Sequence, residues 1–180
     1  HFEAAEGYKM LRTKIQFSFA DENDSHVIGV SSALAGEGKS VTAINLAHSL
    51  AQLEKKVILI DCDLRRPSVA PRLELKREPG LSNYLTRQVN IGDVLQRCKL
   101  SDRGAMNVIV AGKTPPNPVE LLSSAKMEKT MGALRAHYDY VILDLPPIDE
   151  VGDAMAVSKL ADGMLMVVRQ DYCDRNVLGS

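Results

Sequence analysis

Five runs of consecutive apolar residues divide the chain, and the segments between most of them carry apolar positions at helical spacing. The runs lie at 27–30 (VIGV), 56–63 (KVILIDCD), 106–112 (MNVIVAG), 140–144 (YVILD) and 163–169 (GMLMVVR). They are apolar at successive rather than alternate positions, which predicts strands covered on both faces, as in a parallel sheet. Helical spacing follows at 42–56, from Pro118 to a helix end near His137, and at 151–160. Between 68 and 103 the pattern is irregular, with short helices expected in EPGLSNYL and IGDVLQRCKL, and Asp174 reads as the N-cap of one more. Residues 2–20 form an amphipathic helix pattern with Ala5, Tyr8, Leu11, Ile15 and Phe17 near one face. Glu6, Lys9 and Arg12 recur on another face, which by spacing alone describes a solvated helix with local charge pairs. Strands alternating with helices imply an α/β class: a three-layer α/β/α sandwich on a mostly parallel, doubly wound sheet with right-handed crossovers. One domain is expected across residues 1–180.

The first strand runs into VIGVSSALAGEGKS, residues 27–40, where a loop with two glycines ends in Lys39-Ser40 at the head of a helix. That is the strand, loop and helix order of a phosphate-binding loop, and it places the sandwich among P-loop NTPase folds. Backbone N–H groups of Gly36, Glu37, Gly38, Lys39, Ser40 and Val41 are expected around the β- and γ-phosphates of a nucleotide, helped by the helix N-terminus. Lys39 would reach the phosphate oxygens, and the Ser40 hydroxyl would take a position on Mg²⁺. Ala33 stands where the pattern G-x-x-x-x-G-K-[ST] has its first glycine, so an ordinary backbone without positive φ is expected there.

Two strand ends carry acid. Asp61 and Asp63 close the second strand two residues apart, so in extended backbone they point to one side and Cys62 to the other. Side by side they would repel unless a cation or a proton lies between them. Asp144 closes the strand at 140–144, the position from which a carboxylate reaches Mg²⁺ directly or through water.

Composition narrows partners more than it narrows chemistry. Charged residues are 25% and the formal net charge is -1, which gives no bias toward nucleic acid. No apolar run is long enough to span a bilayer. Cys62, Cys98 and Cys173 are scattered and odd in number, which fits reduced thiols. The opening His-Phe and the barely begun last helix lead us to expect further chain on both sides.

The four motifs AGEGKS, VILIDCDLRRP, AGKTPPNPVELLSS and YDYVILDLPP together resemble the bacterial tyrosine kinases of capsule and exopolysaccharide synthesis. In that family they correspond to Walker A, Walker A', a shared loop and Walker B. The resemblance implies a protein-tyrosine autokinase using ATP and Mg²⁺. Lys39 and the backbone of 36–40 would hold phosphates; Ser40, Asp61 and Asp144 would arrange Mg²⁺; Asp63 or Asp61 would position or deprotonate the tyrosine hydroxyl. It assigns Arg65 to the motif and to steadying the acidic cluster. It also implies an E-x-x-R-x-x-R subunit interface, met here by Glu6, Lys9 and Arg12 with Lys for the first Arg, which loses the bidentate fork. The implied partners are further copies in a ring-like homo-oligomer, a membrane activator with a cytosolic tail and a protein-tyrosine phosphatase, at the inner face of the cell membrane. The family's tyrosine-rich tail is absent; Tyr8, Tyr84, Tyr138, Tyr140 and Tyr172 read as packing residues, and acceptors are expected beyond Ser180.

The alternative is a partitioning or septum-positioning switch ATPase without kinase activity. That group has an extra lysine where this chain has Leu34 and lacks D-x-D-x-R, and both differences count against it. An iron–sulfur carrier ATPase would need paired cysteines. A silent nucleotide-binding module gains no support from a chain that keeps Lys39, Ser40, Asp61, Asp63 and Asp144.

Overall fold

A computed structural model describes residues 25–168 apart from Glu37. Glu6, Lys9, Arg12, Glu37, Tyr8, Tyr172, Cys173 and Asp174 lie outside the described residues. In chain order the elements are β1 (His26–Ser32), α1 (Lys39–Ala51), β2 (Val57–Asp61), α2 (Val69–Leu73), α3 (Leu81–Leu85), α4 (Ile91–Val94) and β3 (Leu95–Cys98). They continue through β4 (Met106–Ile109), α5 (Pro118–Leu122), α6 (Ala125–His137), β5 (Tyr140–Asp144), α7 (Val151–Ser158) and β6 (Gly163–Val167).

The six strands form one sheet in the order β3-β4-β2-β5-β1-β6. Every pairing is parallel except β3 with β4. The central strands β1, β2 and β5 are buried along their whole length, as their unbroken apolar runs require. Alternation then sorts side chains between two cores. Val57 and Leu59 face Leu46 and Leu50 of α1, whereas Ile58, Ile60 and Cys62 face Leu122, Met127 and Met131 of α5 and α6. The α/β/α sandwich expected from the sequence is therefore the observed one.

Departures fall at the periphery. The segment IGDVLQRCKL, expected as a helix, makes one helical turn and then the antiparallel strand β3. Leu95 and Arg97 are exposed while Cys98 is buried, so the segment behaves as a short edge strand whose backbone hydrogen-bonds to β4. The long helix expected from Pro118 is two helices. Ser124 takes extended backbone between them, and its hydroxyl accepts from the N–H of Met127 at 3.2 Å, capping α6. The last run alternates, with Met164 and Met166 exposed, because β6 pairs only with β1 among the described strands. Short helix α2, unforeseen, follows Ser68.

Glycines weld one corner of the sheet. The N–H groups of Leu81 and Ser82 donate to Val110 and Ala111 carbonyls at 2.8 and 2.9 Å, bringing Gly80 onto Gly112 backbone to backbone. A Cβ at Gly80 would strike the Gly112 backbone, and Gly112 has φ +84, so neither position has room for a side chain without strain.

Candidate active site

The loop after β1 turns through Gly36 and Gly38, both at φ 80, and Gly38 is the N-cap from which α1 begins at Lys39. A left-handed residue at the cap is what glycine permits, and it turns the loop's backbone over the helix N-terminus. Ala33 stays out of positive φ, as expected. Lys39 and Ser40 are buried at the base of a cavity of about 360 Å³ lined by Ala35, Gly36, Gly38, Asp63, Arg66, Ser68 and Arg72 as well. Val41, one position on, is exposed in the first turn of α1 and outside that lining.

Six polar side chains meet there. The Lys39 ammonium lies 3.0 Å from Asp144 Oδ1 and 3.0 Å from Asp63 Oδ2. The Ser40 hydroxyl donates to the other Asp144 oxygen at 2.6 Å and also contacts the Ser68 hydroxyl. Asp61 stands across from Asp144 in the β2–β5 register, and its oxygens accept three backbone N–H groups: Asp63 at 3.0 Å, Ser68 at 3.1 Å and Val69 at 3.2 Å. Asp61 and Asp63 thus lie on the α1 side of the sheet with Cys62 in the opposite core, the arrangement that their spacing predicts.

Burial dominates the electrostatics. Asp61 and Asp144 have no solvent exposure. Desolvation, then repulsion from Asp144, pushes the Asp61 carboxyl up to about 8. Desolvation also raises Asp144, although Lys39 and Ser40 oppose it. Burial alone would depress Lys39, but Asp144 and Asp63 outweigh it and raise its pKa. Two facing carboxylates of this kind accommodate a proton or a cation between them. Among the described residues no group of three or more His, Cys, Asp or Glu forms a metal cage. The set fits Mg²⁺ all the same, because that ion binds through one or two carboxylates plus phosphates and waters.

Arg65 does not join the cluster. It forks Asp153 on α7 at 2.6 and 3.2 Å, and Arg66 pairs with Glu150 beside it. Ser68, Glu150 and Asp153 escaped sequence reasoning; only Ser68, a small polar residue between Pro67 and an apolar pair, carries a local signal, that of a helix start. A larger groove of about 670 Å³, lined by Tyr84, Arg87, Lys126 and Thr130 among others, contains no carboxylate, whereas the smaller cavity has Asp63 in its lining. Tyr84 and Tyr138 hydroxyls are bonded to Thr130 at 2.8 Å and Asn107 at 2.6 Å, and Tyr140 is buried, consistent with packing roles.

Residues 25–175 match the AAA domain family. Tyrosine-protein kinase YwqD of Bacillus subtilis strain 168 is 41% identical over 164 residues, spanning 91% of this chain and 68% of that protein. This chain belongs to the bacterial tyrosine-protein kinase family. Tyrosine-protein kinase CpsD of Streptococcus agalactiae serotype III is 36% identical over 172 residues, 95% of this kinase and 72% of CpsD. The solved kinase domain of Escherichia coli tyrosine kinase ETK superposes with a TM-score of 0.85 at 34% identity, covering 92% of this kinase and 64% of that chain. The septum site-determining protein MinD of Pyrococcus horikoshii, solved with Mg-ADP, reaches a TM-score of 0.65 at 19% identity and shares the fold alone. No helix among the described residues of this kinase is long and apolar enough to cross a membrane.

Proposed function

We propose that this chain binds ATP with Mg²⁺ in the cavity above Lys39 and transfers the γ-phosphate to tyrosine hydroxyls of other copies of itself. The observation that carries the reading is the meeting of Lys39, Asp63 and Asp144 within 3.0 Å at the base of that cavity. Lys39 moves from the two carboxylates to the phosphates, which the backbone of 36–40 cradles. Ser40 and Asp144, bonded to each other at 2.6 Å, would hold the metal together. Bound Mg²⁺ supplies charge neutralisation on the β- and γ-phosphates. Asp61, whose oxygens accept three N–H groups, positions the loop at 61–69 and would help to hold the metal. Asp63, released by Lys39, accepts the proton of the incoming tyrosine hydroxyl. Little more is required, because phosphoryl transfer depends on positioning and charge neutralisation.

The biological setting follows from the family: regulation of capsular or extracellular polysaccharide production at the cytoplasmic face of the membrane. A membrane activator docks on the kinase, a phosphatase opposes it, and copies assemble in a ring through Glu6, Lys9 and Arg12. The solved chimerical protein CapA2B2 is 31% identical with a TM-score of 0.81, which supports pairing of the kinase with a membrane activator component.

The test is incubation of the protein with γ-labelled ATP, Mg²⁺ and a tyrosine-containing polypeptide, followed by phosphoamino-acid analysis. Label on tyrosine that disappears in Lys39→Met is the expected result. Phosphate released to water with no labelled protein would favour the switch-ATPase alternative.

A further inference from the structure

The two arginines after β2 both leave the sheet to meet α7, and their contacts differ in kind. Asp153 is buried, and both its oxygens take nitrogens of Arg65. Glu150 offers Arg66 only Oε1, while its Oε2 is buried without a hydrogen-bond partner. The Arg66 side chain is 58% exposed. A pair of that exposure is worth at most about 1 kcal/mol, so it exchanges readily for a stronger partner. Burial and then the neighbouring Asp63 hold the Glu150 carboxyl above its usual range even with Arg66 beside it, a further sign of a poorly matched pair.

Arg66 also lines the phosphate cavity. Lys39 is already neutralised there by two carboxylates, so the arginines Arg66 and Arg72 are the other cations that face an incoming polyphosphate. Of the two, Arg66 has its backbone tied to the acidic cluster: its N–H donates to Asp63 Oδ1 at 3.2 Å. That bond roots its side chain at the Asp63 end of the cavity, within reach of the place where the terminal phosphate and the acceptor hydroxyl would meet. A planar guanidinium matches two phosphate oxygens at once.

We propose that Arg66 is the residue with which this protein distinguishes a nucleoside triphosphate from a diphosphate, leaving Glu150 to bind the γ-phosphate. Glu150 holds the side chain when that phosphate is absent, and its release changes what anchors the start of α7. The proposal rests on the ATP reading above and adds to it the residue that senses the last phosphate.

Calorimetric titration of the full chain with Mg²⁺ and either ADP or the non-hydrolysable triphosphate AMPPNP tests it without recourse to activity. Arg66→Ala is expected to weaken AMPPNP about tenfold, the equivalent of one charge-assisted contact, and to change ADP less than about twofold. Glu150→Gln frees the arginine and is expected to tighten AMPPNP about twofold to fivefold, a gain that the double variant loses. Equal loss of ADP and AMPPNP in Arg66→Ala, or no change in either, overturns the proposal, as does unaltered or weaker AMPPNP binding in Glu150→Gln. Failure of the unmodified protein to bind either nucleotide would instead overturn the ATP reading itself.

Discussion

Asp61 and Asp144 occupy matching positions, opposite each other across β2 and β5, and neither has any contact with solvent. Their partners divide them. Asp61 is held by three backbone N–H groups, which no ligand can take without rebuilding the turn from Asp63 to Val69. Asp144 is held by Lys39 and Ser40, two side chains that can rotate and exchange partners. Equal burial thus conceals unequal partners: one carboxylate is locked to backbone, and the other is bonded to side chains free to release it. A survey of buried acids alone would rank them together.

Substitution separates them most sharply at Asp144. Asp144→Asn keeps the volume but removes the charge that pairs with Lys39 and would hold Mg²⁺ in the proposed mechanism, so tyrosine phosphorylation should fall by about 10²- to 10³-fold. Its melting temperature should stay within about 3 °C of the unmodified protein, a difference near 1 kcal/mol, and calorimetry beside a kinase assay checks both. Asp61→Ala should do the reverse in emphasis. Three N–H groups lose their acceptor, at about 1 kcal/mol or more each, and the melting temperature should drop by about 5–10 °C. If Asp61→Ala melts normally while losing activity, the two carboxylates have the same role and the contrast fails.

The smallest effect is the pH dependence that the facing pair imposes. Both carboxyls are raised in the folded protein, Asp61 to about 8. The folded state therefore retains a proton that unfolded carboxyls release above about pH 4. Stability from this source is complete below the unfolded value and is lost as pH rises toward 8. Urea denaturation should give a free energy about 1–2 kcal/mol lower at pH 8 than at pH 6, and Asp144→Asn should flatten that slope. Lys39, raised above its already high value, contributes nothing to this window.

What the sequence revealed follows from how far each signal extends along the chain. Continuous apolar runs announced the covered strands, and a spacing of two placed Asp61 and Asp63 opposite Cys62, because both are local properties of extended backbone. Lys39 and Ser40 were legible because the phosphate loop is contiguous. The segment at 91–100 misled because a four-residue edge strand has no room to establish a period, and what holds β3 is its pairing with β4. The break at Ser124 was hidden inside an otherwise helical pattern whose two halves each keep their apolar positions. Arg65 with Asp153, and Arg66 with Glu150, join residues from opposite halves of the chain, and nothing near either arginine announces its partner.

The meeting of Gly80 and Gly112 bears on how such a chain can change over generations. A Cβ at Gly80 would strike the Gly112 and Val110 backbone, and one at Gly112 would strike Asn83 and Ser82 from a backbone at φ +84, so neither can drift first and wait for the other to compensate. The corner offers evolution no single-step detour, and the loop beginning Ala111-Gly112-Lys113 is held to its sequence by the shape of a distant turn as well as by anything it does itself.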